Sequence, residues 1–243
     1  MADQRHLAPA VKKRGAVVLL SGGLDSAAAM LAHIQAVIDS RDDDAGRFEI
    51  LPLFVHYGQV AAYLEESAAR DVVDWTRLHF SKNAGSVLIR DLQSITILDL
   101  YPKGVGTLSV NPSPLAYTPL RNAVLISMAA AVAELTSLDE VVVGFIASHG
   151  DDARAIPDGT TRFSRAMETA LDLGSVTGAQ GDPVRIATPV SYLSKLGVLR
   201  LLTSAGFEPK VAHSCFLALA GGCGKCTSCR SREESLAQLQ ESP

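Results

Sequence analysis

No apolar run in this chain of 243 residues approaches the ~18 residues that a membrane span requires. The opening stretch "MADQRHLAPAVKKR" is polar and has no apolar core of the kind a secretory leader needs. These two absences predict a soluble, cytoplasmic protein. A strong charge of either sign is also missing. Lys and Arg number 22 against 26 Asp and Glu, a formal net charge of -4, so no whole-molecule attraction to nucleic acid is expected. Internal repeats and low-complexity tracts are absent, which excludes repeat arrays. Cysteine is missing from the first 214 residues, and all four cysteines fall between Cys215 and Cys229. That confinement excludes a disulfide framework spread through the fold.

What is present suits one medium domain, or one domain with a small appendage. Apolar residues make up 47% and charged residues 20%, enough for a chain of this length to bury roughly 70% of its unfolded surface. Short apolar runs at Val17–Leu20, Phe48–Tyr57 and Asp139–Phe145 read as buried parallel strands. Helical spacing of apolar residues covers 25–38, 63–79, 122–135, 161–173 and 193–205, and the final residues read as a closing helix. Strands alternating with helices predict an α/β fold with a parallel sheet covered on both faces. Two irregular stretches, "YPKGVGTLSVNPSPLAYTPLRN" and "ASHGDDARAIPDG", are expected as loops at the carboxyl edge of that sheet, where ligands bind in open α/β folds. The division expected is an extension over 1–14, a main domain over 15–205 and a C-terminal segment over 206–243.

The first strand ends in "SGGLDS", Ser21 to Ser26, and a helical pattern follows at once. Backbone N–H groups and a helix N-terminus converge there, so the stretch predicts an anion site. Gly22 and Gly23 would admit close backbone approach, and the hydroxyls of Ser21 and Ser26 could donate to phosphate oxygens. Asp25 would oppose an anion unless a cation lay between them, which points to Mg²⁺ bridging a carboxylate and a polyphosphate. A tight turn with a Ser or Asp cap is the plainer alternative. The stretch matches neither the phosphate loop with a terminal Lys-Ser/Thr nor the dinucleotide glycine fingerprint.

Near the other end, Cys215, Cys223, Cys226 and Cys229 follow the spacing C-x7-C-x2-C-x2-C. Overlapping C-x2-C pairs and an upstream thiolate suit one tetrahedral ion. Zn²⁺ is the expected metal, with an iron–sulfur cluster and small disulfides as the alternatives. A site closed by four sulfurs leaves no open position, so its expected work is structural.

"SGGLDS" resembles the loop of the PP-loop ATP pyrophosphatases, which belong to a Rossmann-like fold, adenine nucleotide alpha hydrolase-like, and cleave ATP to AMP and pyrophosphate. With the C-terminal "SC…CGKCTSCRSR", nearly the whole chain resembles the 7-cyano-7-deazaguanine synthase family, QueC. "HYGQ" at His56–Gln59, "TPLRNAVLISMAAAVAE" around Arg121 and Asn122, "VVVGF", "IPDG" and "ATPVSYLSKLGVLRLL" with Pro189 and Lys195 carry the likeness. It implies ATP and Mg²⁺ as reactants and adenylation of the carboxylate of 7-carboxy-7-deazaguanine. Ammonia then gives the amide, and a second adenylation gives the nitrile, within queuosine biosynthesis.

On that reading Asp25, Lys195 and Arg121 are the expected catalytic residues, the two cations neutralising the α-phosphate and the carboxylate. Tyr57, Gln59, Arg121 and Asn122 are expected at the substrate. A guanine-like base needs an acceptor for its N1–H and amino group, for which Asp152 or Asp158 is the expected partner. A homodimer is expected by the same resemblance.

The departures lie in the substrate-facing motifs. Where the family has Tyr-Gly-Gln-Arg-His, this chain has Tyr57, Gly58, Gln59, Val60 and Ala61, and the family's Pro-Gly-Arg-Asn is Pro119, Leu120, Arg121 and Asn122. Asp-Cys-Arg-Pro-Glu-Phe becomes Asp158, Gly159, Thr160, Thr161, Arg162 and Phe163. These changes leave open transfer of the activated deazaguanine to another amine or to a partner protein, as in phage-defence relatives. A tRNA-modifying enzyme and a non-catalytic nucleotide-binding module are the remaining alternatives. The first would need a basic surface and a cysteine near the nucleotide.

Overall fold

A computed structural model of the chain describes residues 14–40, 47–97, 118–146 and 156–241. Gly15–Leu19 form β1, and α1 (Leu24–Asp39) follows the intervening loop. Next come β2 (Phe48–His56), α2 (Ala62–His79), β3 (Val87–Ile89), β4 (Gln93–Thr96), α3 (Arg121–Thr136) and β5 (Glu140–Val142). The order continues with α4 (Thr161–Gly174), the single turn α5 (Val176–Ala179), β6 (Arg185–Ala187), α6 (Lys195–Ser204) and α7 (Thr227–Glu241).

Every strand pairing is parallel, in the order β3-β2-β1-β5-β6 with β4 also on β2. β1 lies in the middle, and its alternation feeds two cores. Ala16 and Val18 pack with apolar residues of α1, α2 and α6, while Val17 joins Ile126, Ala129 and Ala133 of α3 on the opposite face. The α/β architecture expected from the alternation is therefore the one observed.

The short edge strands carry no apolar run long enough to betray them. β3 pairs with Phe48–Ile50 and β4 with Leu53–His56, so both occupy one edge of β2. The break between them has a cause in Pro52. The Phe48 N–H bonds toward this edge at Ser86, and the Glu49 N–H bonds the other way at Arg14. By alternation, the N–H that Pro52 lacks belongs on the edge side, where the partner is interrupted.

The chain winds outward from β1 to β4 and then returns to lay β5 and β6 on the other side of β1. The order reverses between β1 and β5, so a crevice opens at their carboxyl ends. The third strand expected, 139–145, stops at Val142 because the chain there turns to meet α1. A Cβ on Gly144 would stand 2.8 Å from the Asp25 carbonyl carbon and the Ser26 nitrogen. Glycine permits that close approach.

Candidate active site

The loop Ser21–Ser26 sits at the head of this crevice. Gly22 has φ +75, and a Cβ there would lie 2.2 Å from the Glu65 carbonyl oxygen in the first turn of α2. Its glycine is thus required by conformation and by the neighbouring helix, not only by an incoming ligand. The serines organise the loop themselves. The Ser26 hydroxyl donates to the Gly23 carbonyl at 3.0 Å and accepts from the Ser21 N–H at 3.2 Å, and the two hydroxyls lie 3.1 Å apart.

Three distant elements deliver the expected charged residues to the same place. Lys195, first residue of α6, holds Nζ 2.7 Å from Asp25 Oδ1. Arg121, first residue of α3, donates from Nη1 to the Tyr57 hydroxyl at 3.4 Å, with its guanidinium carbon 5.9 Å from the ring centre. Burial disfavours the Arg121 charge, but Tyr57, Asp158 and Glu65 outweigh it and raise the pKa. Gln59 is buried and clamped, Oε1 accepting from the Tyr57 N–H at 2.8 Å and Nε2 donating to the Val55 carbonyl at 3.1 Å.

These groups line one cavity of about 430 Å³, together with Ser21, Gly23, Ser26 and Asn122. Its floor is apolar, with Leu53, Phe54, Val55 and Ile126 among the lining residues. Asp158 stands apart from that wall. It is buried and accepts from the Asn122 N–H at 3.0 Å through Oδ2, while the Asn122 side chain donates to its carbonyl at 2.9 Å. Leu120, the residue before α3, has φ 52 and offers no side-chain cap, so Asp158 supplies the helix cap from a distance. Asp152 lies outside the described residues.

Glu65 also lines the cavity and was not singled out by the sequence. Burial pushes its carboxyl pKa up, against the lowering effects of a hydrogen bond with Gln59 and the charge of Arg121. The signal that could have found it is positional: it falls in the first helical turn after β2, at the carboxyl edge of the sheet.

The C-terminal segment closes the cavity with Ser214, Phe216, Thr227, Ser228 and Ser231. Its anchor to the loop is a backbone bond, His213 N–H to the Gly22 carbonyl at 2.9 Å. The ligand atoms of Cys215, Cys223, Cys226 and Cys229 all lie within 4.8 Å of one another. Cys223 and Cys229 Sγ are 3.9 Å apart, against about 3.8 Å for two thiolates on a tetrahedral ion with bonds near 2.3 Å. The Cys226 and Lys225 N–H groups point at Cys223 Sγ and lower its pKa to about 6. Burial pushes the Cys229 thiol up to about 12. The four sulfurs fit a single metal ion.

The queuosine biosynthesis protein QueC family matches residues 15–240. A 7-cyano-7-deazaguanine synthase of Acetivibrio thermocellus is 31% identical over 221 residues, covering 89% of this chain and 90% of that protein. The synthase of Anaeromyxobacter sp. (strain Fw109-5) is 34% identical, covering 92% and 91%. Among solved structures, the U34-tRNA thiolase NcsA from Methanococcus maripaludis with its [4Fe-4S] cluster matches at 15% identity. That match covers 95% of this chain and 66% of the other, with a TM-score of 0.46. With nearly its whole length matched, the chain belongs to the QueC family of queuosine biosynthesis proteins.

Proposed function

We propose that this chain is a synthase that uses ATP to adenylate the carboxylate of 7-carboxy-7-deazaguanine and couples the product to ammonia. The observation that carries the reading is the convergence of the Ser21–Ser26 loop, Lys195 and Arg121 on one cavity at the switch point. Each group has a matching task. The loop backbone and the Ser21 and Ser26 hydroxyls bind the polyphosphate. Lys195 leaves Asp25 to neutralise charge growing on the α-phosphate, and Arg121 holds the substrate carboxylate in line. A carboxylate oxygen attacks the α-phosphorus and pyrophosphate departs; the amine nitrogen then attacks the acyl carbon and AMP departs.

Asp25, once released by Lys195, is the residue that would hold Mg²⁺, which supplies charge neutralisation to the phosphates. Zinc is the reading for the four cysteines. Thiols clustered within 4.8 Å suit one ion, whereas a four-iron cluster would spread them over separate metal corners. Metal analysis of the purified protein should find one zinc per chain.

Purified protein incubated with Mg²⁺-ATP and 7-carboxy-7-deazaguanine, with and without ammonium, tests the reading by mass spectrometry. Substrate-dependent AMP with amide or nitrile is expected. AMP without ammonia incorporation would move the acceptor to another amine, and no substrate-dependent AMP would overturn the reading.

A further inference from the structure

Two carboxylates line the cavity among the described residues, Asp25 and Glu65. Asp25 is paired with Lys195 beside the phosphate loop. Glu65 belongs to a different neighbourhood, that of Tyr57, Gln59 and Arg121, and the mechanism above gives it no task. Resting on the reading that the substrate is a carboxylated deazaguanine, we infer that Glu65 is the specificity residue for the base. Its carboxylate accepts from N1–H and the 2-amino group together.

The geometry supports this in three steps. Gln59 is immobilised by the Tyr57 N–H and the Val55 carbonyl, and it lines the same cavity as Glu65. An ionised carboxylate has lone pairs for two adjacent donors. Apolar lining from Leu53, Phe54 and Val55 suits the faces of a flat heterocycle. A guanine-type edge offers two adjacent donors to a carboxylate, whereas adenine sets an acceptor nitrogen beside its amino donor and repels one. Glu65 therefore selects the deazaguanine over the adenine of ATP. Asp158, the partner expected from the sequence, is not among the residues lining the cavity, and its Oδ2 accepts from the Asn122 N–H.

The test is calorimetric titration of wild type and Glu65→Gln in Mg²⁺ and α,β-methylene-ATP, which blocks turnover. The ligands are 7-carboxy-7-deazaguanine and an analogue lacking the 2-amino group. Wild type should bind the analogue about 10- to 100-fold more weakly, as expected for a lost partner in a dry site. Glu65→Gln should bind the parent about 10- to 100-fold more weakly and discriminate less than about threefold, with nucleotide affinity within about twofold of wild type. Melting temperature and metal content confirm that the variant is folded.

Undiminished discrimination in Glu65→Gln overturns the inference, as does an equal loss of nucleotide affinity. Discriminating binding by wild type that Glu65→Gln loses, without AMP formation in the turnover assay, would leave Glu65 in place and remove the adenylation chemistry. No binding of either deazapurine by wild type would remove both.

Discussion

Lys195 Nζ and Asp25 Oδ1 lie 2.7 Å apart and join the first turns of α6 and α1 across 170 positions of chain. The two side chains are 16% and 22% exposed, so the pair is mostly out of water and its loss is felt. Lys195→Met should lower the rate of AMP formation by about 10²- to 10³-fold, the usual effect of removing one preorganised charge from a transition state. Because Asp25 is left without its partner, stability should fall by about 1–3 kcal/mol. Pre-steady-state AMP formation and urea unfolding read the two effects separately.

The four-cysteine segment is tied to the Ser21–Ser26 loop by the His213 N–H bond to the Gly22 carbonyl. Cys223→Ser, or chelation of the native protein, should therefore weaken nucleotide binding by more than about tenfold as well as lower the melting temperature. Isothermal titration with α,β-methylene-ATP after metal removal measures it. Unchanged nucleotide affinity in metal-free protein would contradict the coupling.

Asp158→Ala should cost about 2 kcal/mol, because it removes the cap of α3 and leaves the Asn122 N–H unpaired. Asp158→Asn keeps an acceptor oxygen and should cost less than half of that. A raised KM for the deazaguanine in Asp158→Asn, at unchanged melting temperature, would instead make Asp158 a base-reading group.

Leu120 stands at φ 52, where the resembling motif has glycine. A left-handed leucine is strained by about 1 kcal/mol, part of which glycine's freer unfolded chain returns. Leu120→Gly should stabilise the protein by about 0.5 kcal/mol, and β-branched Leu120→Val should destabilise it. Chemical denaturation resolves the sign.

Much of this architecture was legible because it is local. β1 and α1 announce themselves by an apolar run, two glycines and a periodic helix. Arg121 and Lys195 were readable from flanking motifs, and each opens a helix that aims it at the crevice. The four cysteines carry their own spacing. What escaped depends on packing between distant segments. β3, β4 and β6 are three or four residues long, too short for alternation to register. Glu65 sits in "LEESAAR", inside the helix expected over 63–79, and only the packing of α2 against Gly22 brings it to the cavity. Asp158 was expected as a partner of the base, and only the approach of α3 shows its carboxylate at the Asn122 N–H. The serines of the loop, expected to donate to phosphate, first bond to each other.

The most direct test of the account uses 7-carboxy-7-deazaguanine labelled with ¹⁸O in its carboxylate. If the carboxylate oxygen attacks the α-phosphorus, amine displacement leaves that oxygen on the nucleotide, and each AMP formed carries one ¹⁸O. Unlabelled AMP, or ADP with ¹⁸O in inorganic phosphate, would contradict adenylation.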